Sequence, residues 1–112
     1  METPSEKQDY IRKVLDAYRH MPGTTGLIRR NDRLLASKLY DRGVPLIAVQ
    51  NALVLAAARR IVRPHDAPPL QPVRSLYYLV PIIDEVLAVR LSQNYYRYLQ
   101  LKIDQARNTQ TL

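Results

Sequence analysis

The sequence predicts an all-α protein, folded as a single compact bundle of four to five helices around a central apolar helix, about 45–62, with a long C-terminal helix. Apolar residues recur every three or four positions along most of the chain, which is the periodicity of amphipathic helices. Most prolines and glycines, which interrupt helices, lie between these periodic segments. The length of 112 residues, with 46% hydrophobic residues, is typical of one globular domain that buries its own core.

The first two helices are delimited by residues that favour helix ends. The first begins at Ser5, a predicted N-cap, and ends before Pro22, because proline cannot continue a helix. The second starts near Leu27 or Asn31 and ends before Gly43, a residue type common just after a helix. Their predicted buried residues are Tyr10, Ile11, Val14, Leu15 and Tyr18 in the first helix, and Leu34, Leu35, Leu39 and Tyr40 in the second.

The third helix, 45–62, is apolar on almost every side. Pro45 suits its first turn, where no amide donor is required. Because this helix lacks a polar face, we expect its neighbours to bury it on all sides. Its apolar run is interrupted by Gln50 and Asn51 and is shorter than the roughly 20 residues of a membrane span. The following segment, 63–72, is rich in proline and is predicted to be an extended, stiff connection.

The last helix is predicted to begin at Pro81 and to continue without a breaker to about Ala106, a length of roughly 39 Å. The chain ends, 1–4 and 108–112, are predicted to fray. The apolar residues on one side of this helix, which step by three and four, are Leu87, Leu91, Tyr95, Tyr98 and Leu101. An exposed stripe of this kind indicates an interface, and it predicts a homodimer. Cover by the first helix of the same chain is the alternative.

Basic residues outnumber acidic ones, 17 against 10, which gives a formal net charge of +7. Such an excess favours polyanionic partners, and most of these residues are arginine, whose planar guanidinium binds phosphate. The candidate nucleic-acid-binding residues form two clusters, Arg29, Arg30 and Arg33 at the start of the second helix, and Arg59, Arg60, Arg63 and Arg74 around the end of the third. The alternative is an ordinary solvated face, with the second cluster complementing the helix dipole.

Several classes of function have little support in the composition. The absence of cysteine excludes a disulfide framework, a zinc finger and a thiol nucleophile, and we expect neither a metal nor a cofactor. A phosphodiesterase that used His20 and His65 as acid and base is the weakest of three hypotheses, so we expect no enzyme activity and no small-molecule substrate. The polar N-terminus does not resemble a signal peptide, which favours a cytoplasmic protein without a membrane partner.

The segment 35–52 has the spacing of a helix-turn-helix motif, in which two helices meet at Gly43. A DNA-reading helix needs an exposed polar face near its start, whereas this one begins with the apolar sequence Leu-Ile-Ala-Val at 46–49. A plain helical hairpin is therefore the preferred interpretation. Reading of DNA by the third helix is the alternative.

Two short segments resemble known proteins. The sequence Gly-Val-Pro at 43–45, with Val49 and Ala52, resembles the helical hairpin of small bacterial replication-associated proteins, such as plasmid and phage replication initiators and DnaD-like domains. The sequence Ser-Leu-Tyr-Tyr at 75–78 resembles their later helix. The resemblance covers about 10–87 and extends to uncharacterised small proteins associated with mobile elements. It implies an accessory role in DNA transactions.

These observations predict a small non-enzymatic nucleic-acid-binding or DNA-transaction accessory protein that contacts phosphates through its arginine clusters, with DNA as the expected nucleic acid. The alternative is a homo-oligomeric helical module for protein interaction that binds no nucleic acid. The run 95–98, in which tyrosines flank Arg97, fits stacking on unpaired bases under the first hypothesis. It fits packing or self-association under the second.

Overall fold

The helical periodicity of the sequence matches the computed structural model, which describes residues 4–64 and 66–110. Over these ranges the chain forms five α-helices and no β-strand. The helices are α1 (Pro4–His20), α2 (Arg30–Asp41), α3 (Leu46–Ile61), α4 (Val80–Ala88) and α5 (Gln93–Gln110), and a short 3-10 helix (Leu76–Leu79) leads into α4. The all-α prediction is confirmed, and α3 coincides with the predicted central helix.

The helix α3 lies at the centre of the bundle because three other helices pack on it. The helices α1, α4 and α5 each contact α3, while α2 packs mainly on α1. The buried residues of α3 are Ala48, Val49, Asn51, Ala52, Leu53, Leu55, Ala56, Ala57 and Ala58. Ile47 and Ile61, near its two ends, remain exposed, so the burial is less complete than predicted. The exposed residues Ile47 and Ile61 are apolar, so α3 still lacks a polar face that could enter a DNA groove.

The corner between α2 and α3 has the hydrogen bonds of a Schellman motif. The Val44 N–H donates to the Leu39 carbonyl at 3.0 Å, and the Gly43 N–H donates to the Tyr40 carbonyl at 2.9 Å. Gly43 has a φ of 74°, which glycine adopts without steric cost. The Tyr10 hydroxyl of α1 donates to the Val44 carbonyl at 2.8 Å. Burial raises the pKa of Tyr10 to about 12, so this donor keeps its proton and fixes the corner against α1.

Two local predictions about α1 and α2 are wrong. Leu34 is exposed, because α2 presents Leu35 and Leu39 to the core instead. Ser5 lies inside α1 and is not its N-cap, since the helix already includes Pro4.

The long C-terminal helix is interrupted, contrary to the prediction of one helix over 81–106. Pro81 lies in the first turn of α4, as expected for a helix start, but α4 ends at Ala88 and Val89 is extended, with φ −114° and ψ 110°. The Ser92 hydroxyl then accepts a hydrogen bond from the Tyr95 N–H at 3.2 Å, at the start of α5. A serine in this position satisfies an amide that a helix start leaves unpaired, which favours a break here.

Because of this break, α5 folds back along α3 instead of projecting from the bundle. The buried residues of α5 are Tyr96, Leu99 and Ile103, which follow each other at helical spacing. Asn51 of α3 and Gln93 of α5 exchange two side-chain amide hydrogen bonds, at 3.2 and 3.3 Å. The longest helix of the described chain is therefore a packed element of the bundle.

Both terminal helices extend into the segments that were predicted to fray. The helix α1 includes Pro4, and α5 continues to Gln110. The rest of those two segments, 1–3 and 111–112, lies outside the described residues. The described part of the proline-rich segment 63–72 contains no helix, as predicted. No helix in the described ranges combines the length and the apolar character needed to cross a membrane.

Candidate nucleic-acid interface

Two loops that are far apart in the sequence meet between the end of α1 and the start of α2. Thr24 and Val73 form an isolated parallel bridge, in which the Thr25 N–H donates to the Val73 carbonyl at 3.1 Å. The Thr24 hydroxyl also donates to the carbonyl of Arg19, in the last turn of α1, at 3.3 Å. The bridge therefore brings the end of α1 close to Arg74, the residue that follows Val73.

A buried carboxylate, Asp32, fixes the next residues of the chain to α2. Asp32 is only 1% exposed. Its Oδ1 accepts hydrogen bonds from the Leu76 N–H at 2.8 Å and from the Ser75 hydroxyl at 3.2 Å. Its Oδ2 accepts one from the Arg29 N–H at 2.9 Å. Three donors thus replace the water that a buried charge loses. None of them is a cationic side chain.

These contacts join three segments of the chain that carry exposed arginines. Arg29, Arg30 and Arg33 lie at the start of α2, Arg74 directly precedes Ser75, and Arg19 lies at the end of α1. All five are exposed. We call Arg19, Arg29, Arg30, Arg33 and Arg74 the arginine surface. The structure thus joins the first predicted cluster to one member of the second.

The arginine surface has no ion-pair partner among the described residues. The ion pairs of the described residues are Lys7–Asp41, Arg12–Asp9, Lys13–Asp9, His20–Asp16, Arg42–Asp84 and Arg59–Glu85. Asp32, which lies beside Arg29, is occupied by the three donors described above. The positive charge of the surface is therefore not neutralised by side-chain pairs.

The helix α1 adds Arg19 to this region, which sequence reasoning missed, whereas Arg12 is paired with Asp9. A depression of about 320 Å³ between α1 and α2 is lined by Arg12, Arg19 and Arg33, with Asp16 as its acidic residue. Arg12 and Arg19 are seven residues apart, two helical turns, and this spacing was the signal that could have found them. Asp32 was also missed, although an acidic residue three positions after a helix N-cap is typical of a capping box.

The second predicted cluster does not act as a unit, because Arg59 is paired. Its Nη1 donates to Glu85 Oε2 on α4 at 2.9 Å, and its Nη2 contacts the other carboxylate oxygen. This hydrogen-bonded pair raises the pKa of Arg59 and lowers the pKa of Glu85. Arg63 follows α3 and is half-buried.

Arg60 has a different environment, because it contacts the loops that border the arginine surface. Its Nη2 donates to the Gln71 carbonyl at 2.9 Å. Its guanidinium lies over the ring of Tyr78, with Cζ at 6.0 Å from the ring centroid, which is the range of a cation–π contact. A Cβ atom on Gly23 would lie 2.7 Å from Arg60 Nε, so this glycine permits the close approach.

The five residues predicted to form an oligomer interface are all exposed, by 41% to 60%, but they do not form one continuous helical stripe. Leu87 on α4 and Leu91 in the connection line a groove of about 350 Å³ beside the start of α3. Tyr95, Tyr98 and Leu101 lie on α5. Tyr98 lines a second groove, of about 330 Å³, beside the end of α3. The break before α5 divides the predicted stripe, while the homodimer stays a prediction.

The side chains considered for catalysis lie in separate places. The Nδ1 atom of His20 is 2.8 Å from the Asp16 carbonyl at the exposed end of α1, and His65 lies outside the described residues. Asp84 and Glu85 each contact a different arginine. In the described ranges, no group of three histidine or acidic side chains is arranged to hold a metal ion.

Comparisons of the chain with protein-family models, with curated proteins and with solved structures find no match. The resemblance to replication-associated helical domains therefore stays a prediction.

Proposed function

We propose that this protein binds nucleic acid, with DNA as the expected form, and acts as a non-enzymatic accessory protein in DNA transactions. In this proposal the arginine surface contacts backbone phosphates. The observation that carries it is that five exposed arginines lie on three chain segments joined by hydrogen bonds, and that none of them has an ion-pair partner among the described residues. Arginine binds phosphate with two parallel hydrogen bonds, and the net charge of +7 favours a polyanion.

The position of these arginines on α2 also supports a functional explanation. The N-terminus of a helix carries a partial positive charge, which disfavours cations there. Arg29, Arg30 and Arg33 lie at the N-terminal end of α2, so the helix dipole does not explain their presence. Arg59 and Arg60 lie at the C-terminal end of α3, where the dipole favours them. The start of α2 therefore needs another explanation, and an anionic partner supplies one.

The proposal is tested by removing the charges and measuring the salt dependence of binding. In one variant, Arg29, Arg30, Arg33 and Arg74 are all replaced by Gln. We expect it to bind fluorescent DNA more weakly than the wild type does, whatever the sequence of the DNA. Each lost phosphate contact should reduce the slope of log K against log salt by about one between roughly 50 and 200 mM salt. Fluorescence anisotropy titrations measure both quantities.

The matched control replaces Arg90, Arg97, Lys102 and Arg107 by Gln. These four exposed cations also have no ion-pair partner among the described residues, and the variant lowers the formal net charge of +7 by the same four charges. We expect this control to retain most of the affinity and of the slope. Equal losses in the two variants would mean that only total charge matters. Wild-type protein that binds no DNA at low salt would overturn the proposal.

A homodimer is a second candidate function, and the exposed apolar side chains favour it. Tyr98 and Leu101 are among the most exposed apolar residues of α5, and the outer side of this helix has no cover within the described chain. An apolar patch of this kind usually marks an interface, and a two-fold dimer is the commonest way to cover it. Sedimentation equilibrium at micromolar concentration should give the mass of two chains. The mass of one chain at every concentration would exclude the dimer.

A further inference from the structure

We infer that the arginine surface is specific for single-stranded nucleic acid, whose unpaired bases stack on Tyr77 and Tyr78. This inference rests on the proposed function, which concerns only phosphate contacts, and it adds the strandedness of the partner. It depends on the short 3-10 helix, which begins two residues after Arg74 and exposes two tyrosines.

The 3-10 helix buries two of its four residues and exposes the other two. A 3-10 helix turns by about 120° per residue, so residues three apart point in the same direction. Leu76 and Leu79 are three apart, and both are fully buried. Tyr77 and Tyr78 lie between them and are 46% and 45% exposed. The packing of the two leucines therefore holds two aromatic rings outward.

The backbone under these rings is fixed by the same contacts that assemble the arginine surface. The Tyr77 N–H donates to the Ser75 hydroxyl at 3.1 Å, and this hydroxyl in turn donates to Asp32. Asp32 also accepts the Leu76 N–H at 2.8 Å. The two tyrosines thus start three residues after Arg74, on a turn that is attached to the first turn of α2.

Tyr78 has, in addition, a cation over its ring. The guanidinium of Arg60 lies over this ring and is itself held by the Gln71 carbonyl at 2.9 Å. The guanidinium contacts one side of the ring, and Tyr78 remains 45% exposed for a second contact.

The chemistry of this combination distinguishes the two forms of nucleic acid. In a duplex the faces of the bases are covered by their neighbours, so exposed rings gain little from it. In a single strand the base faces are accessible, and each base stacked on an aromatic side chain contributes substantially to affinity whatever its identity. Guanidinium groups beside the rings contact the connecting phosphates. Exposed rings that follow Arg74 in the chain, with exposed cations on the segments joined to them, therefore match a single strand.

The test compares a mixed-sequence single strand of about 20 nucleotides with the duplex of the same sequence, by fluorescence anisotropy at one salt concentration. We expect the wild-type protein to bind the single strand at least about tenfold more tightly. Replacing Tyr77 and Tyr78 together by Leu should weaken binding of the single strand at least about fivefold. Binding of the duplex and the salt slope should not change.

Two further variants exclude trivial explanations. Replacing Tyr77 and Tyr78 by Phe keeps the ring faces and should restore the affinity of the wild type. Replacing Tyr95 and Tyr98, the exposed tyrosines of α5, by Leu tests the other candidate stacking surface. A loss of single-strand affinity as large as that of the Tyr77 and Tyr78 variant would overturn the assignment to the 3-10 helix. Thermal unfolding followed by circular dichroism should show that all variants fold.

The outcomes separate this inference from the proposed function. Equal affinity for single strand and duplex would overturn the inference, and so would unchanged single-strand binding by the Leu variant. In either case the proposed function survives if the arginine variant still weakens binding of both ligands. Binding of neither ligand by the wild-type protein would overturn both.

Discussion

The start of α2 and the end of α3 both carry clusters of arginines, but the two regions use these side chains differently. At the end of α3, Arg59 pairs with Glu85, and Arg60 binds a loop carbonyl and covers a tyrosine ring. At the start of α2, Arg30 and Arg33 have no ion-pair partner within the described ranges. The same residue type therefore connects elements of the fold in one region and leaves its charge available in the other.

The carboxylates of the two regions differ in the same way. Glu85 is exposed and neutralises a cation. Asp32 is buried and accepts only backbone N–H groups and a hydroxyl. A carboxylate near the N-terminus of α2 also offsets the unfavourable effect of cations at that end of the helix. The partners of the acidic residues, more than the number of basic residues, therefore decide where unpaired positive charge accumulates.

The largest effect is expected from removing the buried carboxylate. Asp32→Ala leaves the Arg29 and Leu76 amides and the Ser75 hydroxyl without their acceptor. Since a buried polar group that loses its partner costs about 1–3 kcal/mol, we expect a loss of about 3 kcal/mol or more in the free energy of unfolding. Urea denaturation measures this loss.

Asp41→Ala is the matched control, because it removes an aspartate of α2 whose partner is an exposed lysine. Asp41 lies 2.8 Å from Lys7 Nζ, and an exposed pair of this kind contributes little. We expect its effect on the free energy of unfolding to be several times smaller than that of Asp32→Ala. Equal effects would contradict the role of Asp32 as the anchor of the arginine surface.

The next prediction concerns DNA binding. It compares an arginine of the arginine surface with an arginine at the end of α3. Arg74→Gln removes an unpaired cation, so it should weaken DNA binding and lower the salt slope by about one. Arg59→Gln removes a cation that Glu85 already neutralises, so it should leave the slope unchanged. Anisotropy titrations at several salt concentrations distinguish the two. The reverse order of effects would move the phosphate contacts to the end of α3.

Much of the fold was predictable because local residues determine the ends of its first helices. Pro22 and Gly43 end helices for reasons of backbone geometry that do not depend on the rest of the molecule. The break before α5 has no such residue, and its only local signal is Ser92. Val89 becomes extended because α5 then packs along α3, and this tertiary contact is not visible in the periodicity of the sequence.

The sequence predicts most of the residues of the arginine surface, but it does not predict that the fold connects them. The clusters were evident from the sequence, whereas their connection depends on contacts between distant residues. Asp32 binds Ser75 and Leu76, which lie 43 and 44 positions away. The bridge between Thr24 and Val73 is equally remote in sequence. Neither contact follows from local propensity, so the sequence left open whether the clusters share a face.

A smaller effect on the free energy of unfolding is expected from removing the hydroxyl of Tyr18, which interacts electrostatically with Asp32. Tyr18 is fully buried, and its hydroxyl has no hydrogen-bond partner among the described residues. Burial raises the pKa of this hydroxyl, and the charge of Asp32 raises it further. We expect Tyr18→Phe to stabilise the protein by about 1 kcal/mol, because it removes an unsatisfied polar group.

The control for this prediction is Tyr10→Phe, which makes the same change at a buried tyrosine with a partner. The Tyr10 hydroxyl donates to the Val44 carbonyl at 2.8 Å, so its removal should destabilise by about 1 kcal/mol. Thermal and urea unfolding measure both variants. If both substitutions changed the free energy of unfolding in the same direction, this would contradict the expectation that only the Tyr10 hydroxyl stabilises the fold.

The smallest effect is expected at the end of α3, where Arg59 pairs with Glu85. There the free energy of unfolding should depend on pH. The hydrogen bond from Arg59 lowers the pKa of Glu85 below its ordinary value of 4.5 in the folded protein. A lowered folded pKa means that the pair stabilises the protein above about pH 4.5, and that this stabilisation is lost as the pH falls through the folded pKa. We therefore expect wild type to be slightly more stable than Glu85→Gln near neutral pH.

This difference should shrink on acidification and should also decrease at high salt, because both side chains are exposed. Urea unfolding of both proteins between about pH 7 and pH 3 measures it. Asp84→Asn is the control, since Asp84 Oδ1 lies 3.7 Å from Arg42 Nη2 in a longer contact, and we expect a smaller difference. A difference that stays constant or grows as the pH falls would show that Glu85 does not stabilise the fold through Arg59. Arg59 would then have a free charge, as the arginines of α2 do.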